Sequence, residues 1–404
     1  MKKTNIIAMA LAGLMALPVM AADSKPQAGD ILQGINMFTP EEGDPAYKVK
    51  ANELYGTQWA VDMAYGYWGT DDANPGTNNH NNLFLLHAQL NQRLIEDSLN
   101  GGTWLRAEFS GSWGLDKRSA NNDKIFVNGF NSASGLHADV YGPHDGVIPE
   151  LALMHYFAGK RACIIAGMVN LTNYFDAVSI ANDTFASFTN DGFVNSTILP
   201  LYDSNLGGVL QVELNSSNYI MLGISRSGAE YGDNPFDSDS INGYAVVAEY
   251  GHLFADGAGT LRINPFFTQT DEDVDGTGER SRRNAGLVAS VEYSPCDTLT
   301  VYTRAGFAAR QYLSNSAEFS VGANVKVLPS REDDFLGVSY GVFKGRNSLA
   351  EPTENEREQV LELMYSLQIN DYFKIVPHWQ FIMDPAYADK NNESIWGVQT
   401  VFSF

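Results

Sequence analysis

The chain has 404 residues, of which 26 are Lys or Arg and 48 are Asp or Glu, for a formal net charge of -22 at pH 7. Such an acidic balance excludes nucleic acid, anionic lipid headgroups and anionic solutes as preferred partners and leaves small neutral or cationic ones open. Aromatic residues make up 12% of the chain, charged residues only 18%, and 37 glycines are spread through it, which is a β-rich composition.

The first 21 residues, MKKTNIIAMALAGLMALPVMA, carry Lys2 and Lys3, an apolar run from Ile6 to Leu17 and a small-residue pattern at Val19-Met20-Ala21. That is a cleavable secretory signal peptide; its apolar run is shorter than the roughly 20 residues a bilayer-spanning helix needs. Its removal takes the net charge from -22 to -24. No later window is apolar enough for a transmembrane helix. Cys163 and Cys296 stand far apart and define neither a disulfide framework nor a zinc pattern, although a single bridge between them stays open. No linker divides the chain, so residues 22–56 read as an N-terminal periplasmic segment and 57–404 as one domain.

From residue 58 onward, segments of about ten residues alternate with period two. Trp59, Val61, Met63, Tyr65 and Tyr67 alternate with small or polar residues. Leu105, Ala107, Phe109 and Trp113 alternate with Arg106, Glu108, Ser110 and Ser112, and Leu361, Leu363, Tyr365, Leu367 and Ile369 with Glu362, Met364, Ser366 and Gln368. A soluble sandwich would also alternate, so the connections decide. Long links (residues 69–82, 115–148, 171–206, 227–241, 270–282, 344–357 and 383–393) intervene with short ones such as FAGKR, NSSN, SPCD and Asn370-Asp371. That rhythm predicts an all-β fold, a transmembrane antiparallel up-and-down β-barrel of about 16 strands in the bacterial outer membrane, with long outer loops and tight periplasmic turns. The chain ends in WGVQTVFSF, with Trp396, Val398, Phe402 and Phe404 on one parity. In a closed barrel this last strand pairs with the first and turns those residues to lipid; it is also the strand expected to engage the barrel-assembly machinery.

Two stretches resemble the carbohydrate-selective porins of the OprB-like family. Residues 167–211 carry Asn173-Tyr174-Phe175-Asp176, then Phe193-Val194-Asn195, Pro200 and Leu206-Gly207. Residues 358–388 carry Glu362-Leu363-x-Tyr365, Pro377-x-x-Gln380 and Asp384-Pro385, where the family has Asn-Pro. The resemblance covers most of the mature chain, least distinctly from about 227 to 350. It implies passive, selective diffusion of neutral sugars across the outer membrane, with no enzymatic activity and no cofactor. A general cation-preferring porin, as the net charge suggests, and an adhesive, surface-binding barrel remain the alternatives, and the oligomeric state stays open.

The catalytic and metal patterns in the sequence are weak. Gly337-Val338-Ser339-Tyr340-Gly341 matches G-x-S-x-G, but a nucleophile elbow needs a strand, a sharp turn and a helix, and VFKGRN follows. His80, His87, His144 and His155 lack ligand spacing. Asp271, Asp273 and Asp275 before Gly276 reproduce the start of a calcium loop, yet Arg282 stands where a bidentate Glu belongs, so an acidic solvated loop is the preferred reading over a structural calcium.

Sugar recognition needs hydroxyl-bonding groups and flat apolar faces. Inward parity supplies Trp104, Arg106 and Glu108 on one strand, Glu150 on the next, then Gln211 and Glu213, Arg262 and Asn264, Arg304, Glu362, and His378 with Gln380. An Arg beside a carboxylate can hold a neutral polyol; a generic wetted wall is the plainer reading. The link 171–206 sets Tyr174, Phe175, Phe185, Phe188 and Phe193 among Asn173, Asn182, Asn190 and Asn195. So many phenylalanines are not exposed without a reason: most are expected to pack the loop against the inner wall, with Phe175 and Phe193 as the pore-lining candidates.

Overall fold

A computed structural model describes residues 30–38, 45–70, 79–116, 132–135, 137–138, 144–227, 243–270, 282–309, 315–331, 333–345, 357–386 and 392–404. Residues 1–21, expected to be a signal peptide, and the acidic triplet Asp271, Asp273 and Asp275 lie outside the described residues. Two helices, α1 (Asp30–Asn36) and α2 (Ala46–Tyr55), precede the strands β1 (Thr57–Thr70), β2 (His80–Ile95), β3 (Thr103–Gly114), β4 (His144–Phe157) and β5 (Ala162–Val169). A short helix, α3 (Asp191–Val194), lies in the connection to β6 (Asn205–Asn215), followed by β7 (Asn218–Ser227), β8 (Gly243–Phe254), β9 (Gly259–Thr270), β10 (Arg282–Cys296) and β11 (Leu299–Ala308). The chain closes with β12 (Asn315–Val325), β13 (Phe335–Gly345), β14 (Arg357–Asn370), β15 (Phe373–Met383) and β16 (Asn392–Ser403).

Each strand pairs antiparallel with its sequence neighbours, and β16 pairs with β1 to close a 16-strand barrel. Closure satisfies every ladder and removes the edges, which is the condition for a sheet to sit in hydrocarbon. Among the described residues no helix is long and apolar enough to cross a membrane.

The alternation read from the sequence is the alternation of the wall. Tyr65, Trp396, Phe402 and Phe404 are exposed on the outside, whereas Trp104, Arg106, Glu108, Glu362 and Met364 point inward and are buried. Inward does not mean wet here. Met364 belongs to a cluster with Phe188, Phe193, Phe343 and Val360, and a second cluster joins Phe175 to Trp104, Met154 and Tyr156. Both form because chain from outside the wall folds into the lumen and packs on the strands.

One contributor comes from the N-terminal segment, expected at 22–56 to be periplasmic. Helix α1 lies inside the barrel: Leu32 is fully buried, packed in the cluster of Trp104 and Tyr156, and Asn36 exchanges hydrogen bonds with Gln211 on β6, 2.5 Å and 3.2 Å. Helix α2 sits instead on the outer side of the rim, with Tyr47 stacked on outward Trp59 at 6.0 Å. Cys163 and Cys296 are both free thiols. Ser339 lies within β13, bonded to Tyr302 at 2.7 Å, with strand on both sides rather than an elbow. Asp384 takes a left-handed φ of 50°, a conformation that Asp and Asn both tolerate.

Candidate functional site

The connection from β5 to β6, residues 170–204, folds into the lumen in tight turns. Asn170 caps the turn Leu171–Asn173 and Asn190 caps α3, each accepting a backbone N–H. Its phenylalanines face the wall. Phe175, Phe188 and Phe193 are fully buried and Phe185 is 4% exposed. Two inward-facing glycines make room for them: a Cβ on Gly223 would meet Phe175 at 2.6 Å, and one on Gly341 would meet Phe193 at 2.8 Å. Phe175 and Phe193 therefore do not line the channel as expected. They are seated in the wall because burial of each ring is worth more than its exposure to a polar passage.

The polar half of the attachment comes from carboxylates on the strands. Glu249 on β8 accepts from the Asp176 amide at 3.0 Å, and Glu318 on β12 accepts from the amide and hydroxyl of Thr197 at 2.8 and 2.7 Å. Glu362 on β14 takes the amides of Thr189 and Asn190 at 2.9 and 3.1 Å. Glu292 on β10 takes the Ser179 amide at 3.0 Å. Glu358 on β14 takes the amides of Ala133 and Ser134, at 2.8 and 3.0 Å, from the connection between β3 and β4. A carboxyl oxygen facing backbone N–H donors makes a strong bond in a low-dielectric interior, and it spares the loop backbone an unpaired buried amide.

Two arginines complete the attachment. Arg304 on β11 is buried against Asp176 at 2.8 Å and donates to the carbonyls of Gly192 and Phe193 at 3.3 and 3.1 Å. Arg106 on β3 donates to Glu150 on β4 at 2.9 Å and to the carbonyl of Asn36 at 3.0 Å. Its guanidinium lies 5.2 Å from the Phe38 ring centre and 5.3 Å from that of Tyr174. It thereby touches the wall, the inserted N-terminal segment and the inserted loop at once. The regular pairing of β3 with β4 puts Glu150 in register with Glu108, the last pair before a bulge. That like-charged pair is tolerable because Glu108 also receives Asn173 at 2.6 Å, Asn170 at 3.2 Å and His87 at 3.1 Å.

Between loop and wall lies a cavity of about 610 Å³. The loop borders it with Asn173, Asn182, Asn195, Thr172 and Thr197, and the wall with Asp62, His87, Gln89, Arg106 and Glu108. The mixed Phe and Asn composition of the link is thus a two-sided element: Phe175, Phe188 and Phe193 turn to the wall, and Asn173, Asn182 and Asn195 to the space.

Of the candidates read from parity, Arg106 and Glu108 border this cavity. Glu150, Arg304, Glu362 and Gln380 are buried under the loops they hold; Gln380 donates to the Thr189 hydroxyl at 2.9 Å. Arg262 pairs with Glu292 at 3.5 Å and Asn264 donates to Glu249 at 2.7 Å. The Trp104 indole donates to the Gly101 carbonyl at 2.8 Å and its ring packs in the cluster around α1. His378 contacts Glu362 at 3.2 Å, and Glu213 is buried. Inward parity places these groups correctly, but parity cannot tell a wetted wall from one covered by a folded-in loop. Asp62, His87 and Gln89 share the same parity and could have been found by it; Phe38 carried no signal, since residues 22–56 show no alternation.

The model of the family described as carbohydrate-selective porin, OprB family, matches residues 129–404. A search of curated proteins found no match. Among solved structures, the chain is similar to Pseudomonas putida OprB at high pH, with TM-score 0.68 and 13% identity, over 95% of this chain and 100% of that one. It is also similar to the outer membrane channel DcaP of Acinetobacter baumannii, with TM-score 0.54 and 10% identity, over 86% and 97% of the two chains. A loop L8 deletion mutant of OmpT from Vibrio cholerae gives TM-score 0.52 and 10% identity, over 86% and 99%. Identities this low speak for the fold.

Proposed function

The chain belongs to the carbohydrate-selective porin family OprB, and from that membership we propose that neutral sugars cross its barrel passively through the cavity between the 170–204 loop and the wall. The carrying observation is the two-sided loop. Its phenylalanines are buried while Asn173, Asn182 and Asn195 border a space of about 610 Å³, within the roughly 300–1,000 Å³ typical of small-molecule sites. Amides and hydroxyls donate and accept without adding charge, which suits a polyol. Diffusion down a gradient calls for no cofactor. The protein reaches the outer membrane after cleavage near Ala21, with its C-terminal strand presented to the assembly machinery.

The charged groups at the cavity favour a secondary property. Asp62, Asp183, Asp191, Asp203 and Glu108 border it against Arg106 and His87, so the small-ion leak prefers cations over anions. Liposome swelling with mono- and disaccharides, paired with planar-bilayer conductance in the presence of glucose, tests the reading. Sugar entry with glucose block of the current is expected. Current that glucose leaves untouched marks a general porin, and absence of both marks a barrel whose work is at its surface.

A further inference from the structure

We infer that Phe38 is the ring on which a passing sugar stacks, so that the inserted segment 30–38 forms part of the selective constriction. The inference rests on the carbohydrate reading above and adds the apolar half of the recognition, which the loop amides do not supply.

A pyranose presents an edge of hydroxyls and a face of C–H groups; the face calls for a flat apolar surface, as in sugar and cofactor sites generally. Two phenylalanines border the cavity, Phe38 and Phe185. Phe185 is 4% exposed and stacks on His87 at 6.2 Å, which leaves its faces covered. Phe38 is only partly buried. The large aromatic rings packed nearby, Tyr174 and Phe175, are at most 1% exposed. Ile31 and Leu32 on the same segment are buried, and Ile35 and Met37 are partly buried aliphatic side chains, so Phe38 is the one ring of this segment left partly open beside a polar passage, and that ring calls for an occupant.

The ring is also held. Its backbone N–H donates to Gln58 at 3.2 Å. Two residues earlier, the Asn36 carbonyl accepts from Asn91 at 2.9 Å and from Arg106 at 3.0 Å. Those wall residues, Gln58, Asn91 and Arg106, are all buried, so the position of Phe38 is set by side chains that do not themselves move with solvent. Over one face of the ring, leaving the other for a sugar, the Arg106 guanidinium uses Nε for Glu150 and Nη1 for Asn36, while among the described residues Nη2 has no hydrogen-bond acceptor. Ring and guanidinium, 5.2 Å apart, offer a C–H surface and a hydroxyl donor within one sugar's width.

The test compares glucose with sorbitol, an open-chain polyol of equal carbon number that lacks a ring face, by swelling of liposomes containing wild type, Phe38→Leu or Phe38→Trp, with potassium conductance measured alongside. Wild type is expected to pass glucose severalfold faster than sorbitol. Phe38→Leu, which keeps apolar bulk but loses the ring, should abolish that ratio at unchanged potassium conductance, and Phe38→Trp should keep it. A ratio unchanged in Phe38→Leu, or lost equally in Phe38→Trp, overturns the stacking role and leaves the carbohydrate reading standing. So does a ratio that falls only as potassium conductance rises, because that reports a wider pore. Wild type that passes glucose no faster than an amino acid of similar size overturns the carbohydrate reading, and this inference with it.

Discussion

Arg304 and Asp176 meet at 2.8 Å with both side chains fully buried, an ion pair that joins strand β11 to the inserted loop 128 residues earlier in the chain. The pair is not a surface bridge that solvent could replace. It sits among the carbonyls of Gly192, Phe193 and Val194, to which the same guanidinium donates, so one side chain ties two separate stretches of the loop to the wall.

Arg304→Leu should therefore detach the constriction rather than the barrel. Removing one partner of a buried pair costs about 3–5 kcal/mol because the other charge is left uncompensated. The barrel ladders do not pass through this contact, so the heat-modifiable band in detergent should persist. Single-channel conductance should rise, and limited proteolysis should begin to cut within residues 170–204. Pairing the change with Asp176→Leu should recover part of the loss, since no charge is then stranded; an additive double variant would show that the two residues are not coupled.

Arg106 gives a different outcome from that of a sugar ligand alone. Because it holds Asn36 and Glu150 as well as bordering the cavity, Arg106→Ala should release the N-terminal segment and raise conductance for all small solutes, while the glucose block falls. Arg106→Lys should not restore the block: a single ammonium cannot reproduce two separately aimed donors of a planar fork. Proportional glucose block equal to that of wild type would reduce Arg106 to a wall residue.

The barrel was legible because lipid imposes period two on every strand and the two sides of the membrane impose unequal connections. Tyr65, Leu363 and Phe402 lie on the parity and face the sequence assigned to them. The site was legible only in part. Parity makes Glu150, Arg304 and Glu362 candidates for the sugar path because it points them inward, where they are; what parity omits is the chain that folds back over them. The signals for that cover were present but indirect: inward glycines at 223 and 341, with no side chain of their own to fill the wall, and a loop rich in phenylalanine that needed somewhere to put its rings. Met364 illustrates the same omission. It points inward as expected, yet it is 2% exposed in the cluster beneath the loop, so a bulky charge there would not be tolerated as an open lumen would allow.

The register of the wall is tested by a matched pair of charges. Leu363 faces outward near the middle of β14, in register with Val338 and Trp379. Leu363→Arg should impair assembly, because a cation near the bilayer midplane costs roughly 2–4 kcal/mol. Gln89 borders the cavity, and Gln89→Arg should fold while shifting ion preference away from cations. The heat-modifiable band reads the first effect and reversal potentials in a salt gradient read the second. Impaired folding of the Gln89 variant alone would place the register one residue off.

The terminus closes the barrel through backbone and ring together. The Phe404 amide donates to the Val61 carbonyl at 2.9 Å and its carbonyl accepts from the Val61 amide at 3.0 Å, one residue past the end of β16. Its ring stacks on Tyr372 at 6.0 Å with planes 20° apart, and Phe402 beside it meets Phe373 at 4.7 Å. Replacing Phe404 by Ala removes the aromatic pair, worth about 0.5–1.5 kcal/mol beyond burial, and keeps both hydrogen bonds. Deleting the residue removes those bonds as well, each worth about 0.5–1.5 kcal/mol net in water and not replaceable by lipid. Outer-membrane abundance should thus fall in the order wild type, Phe404→Ala, deletion. Fractionation with immunodetection of the folded band is the measurement, and equal abundance of all three would mean that the last strand is specified without its final residue.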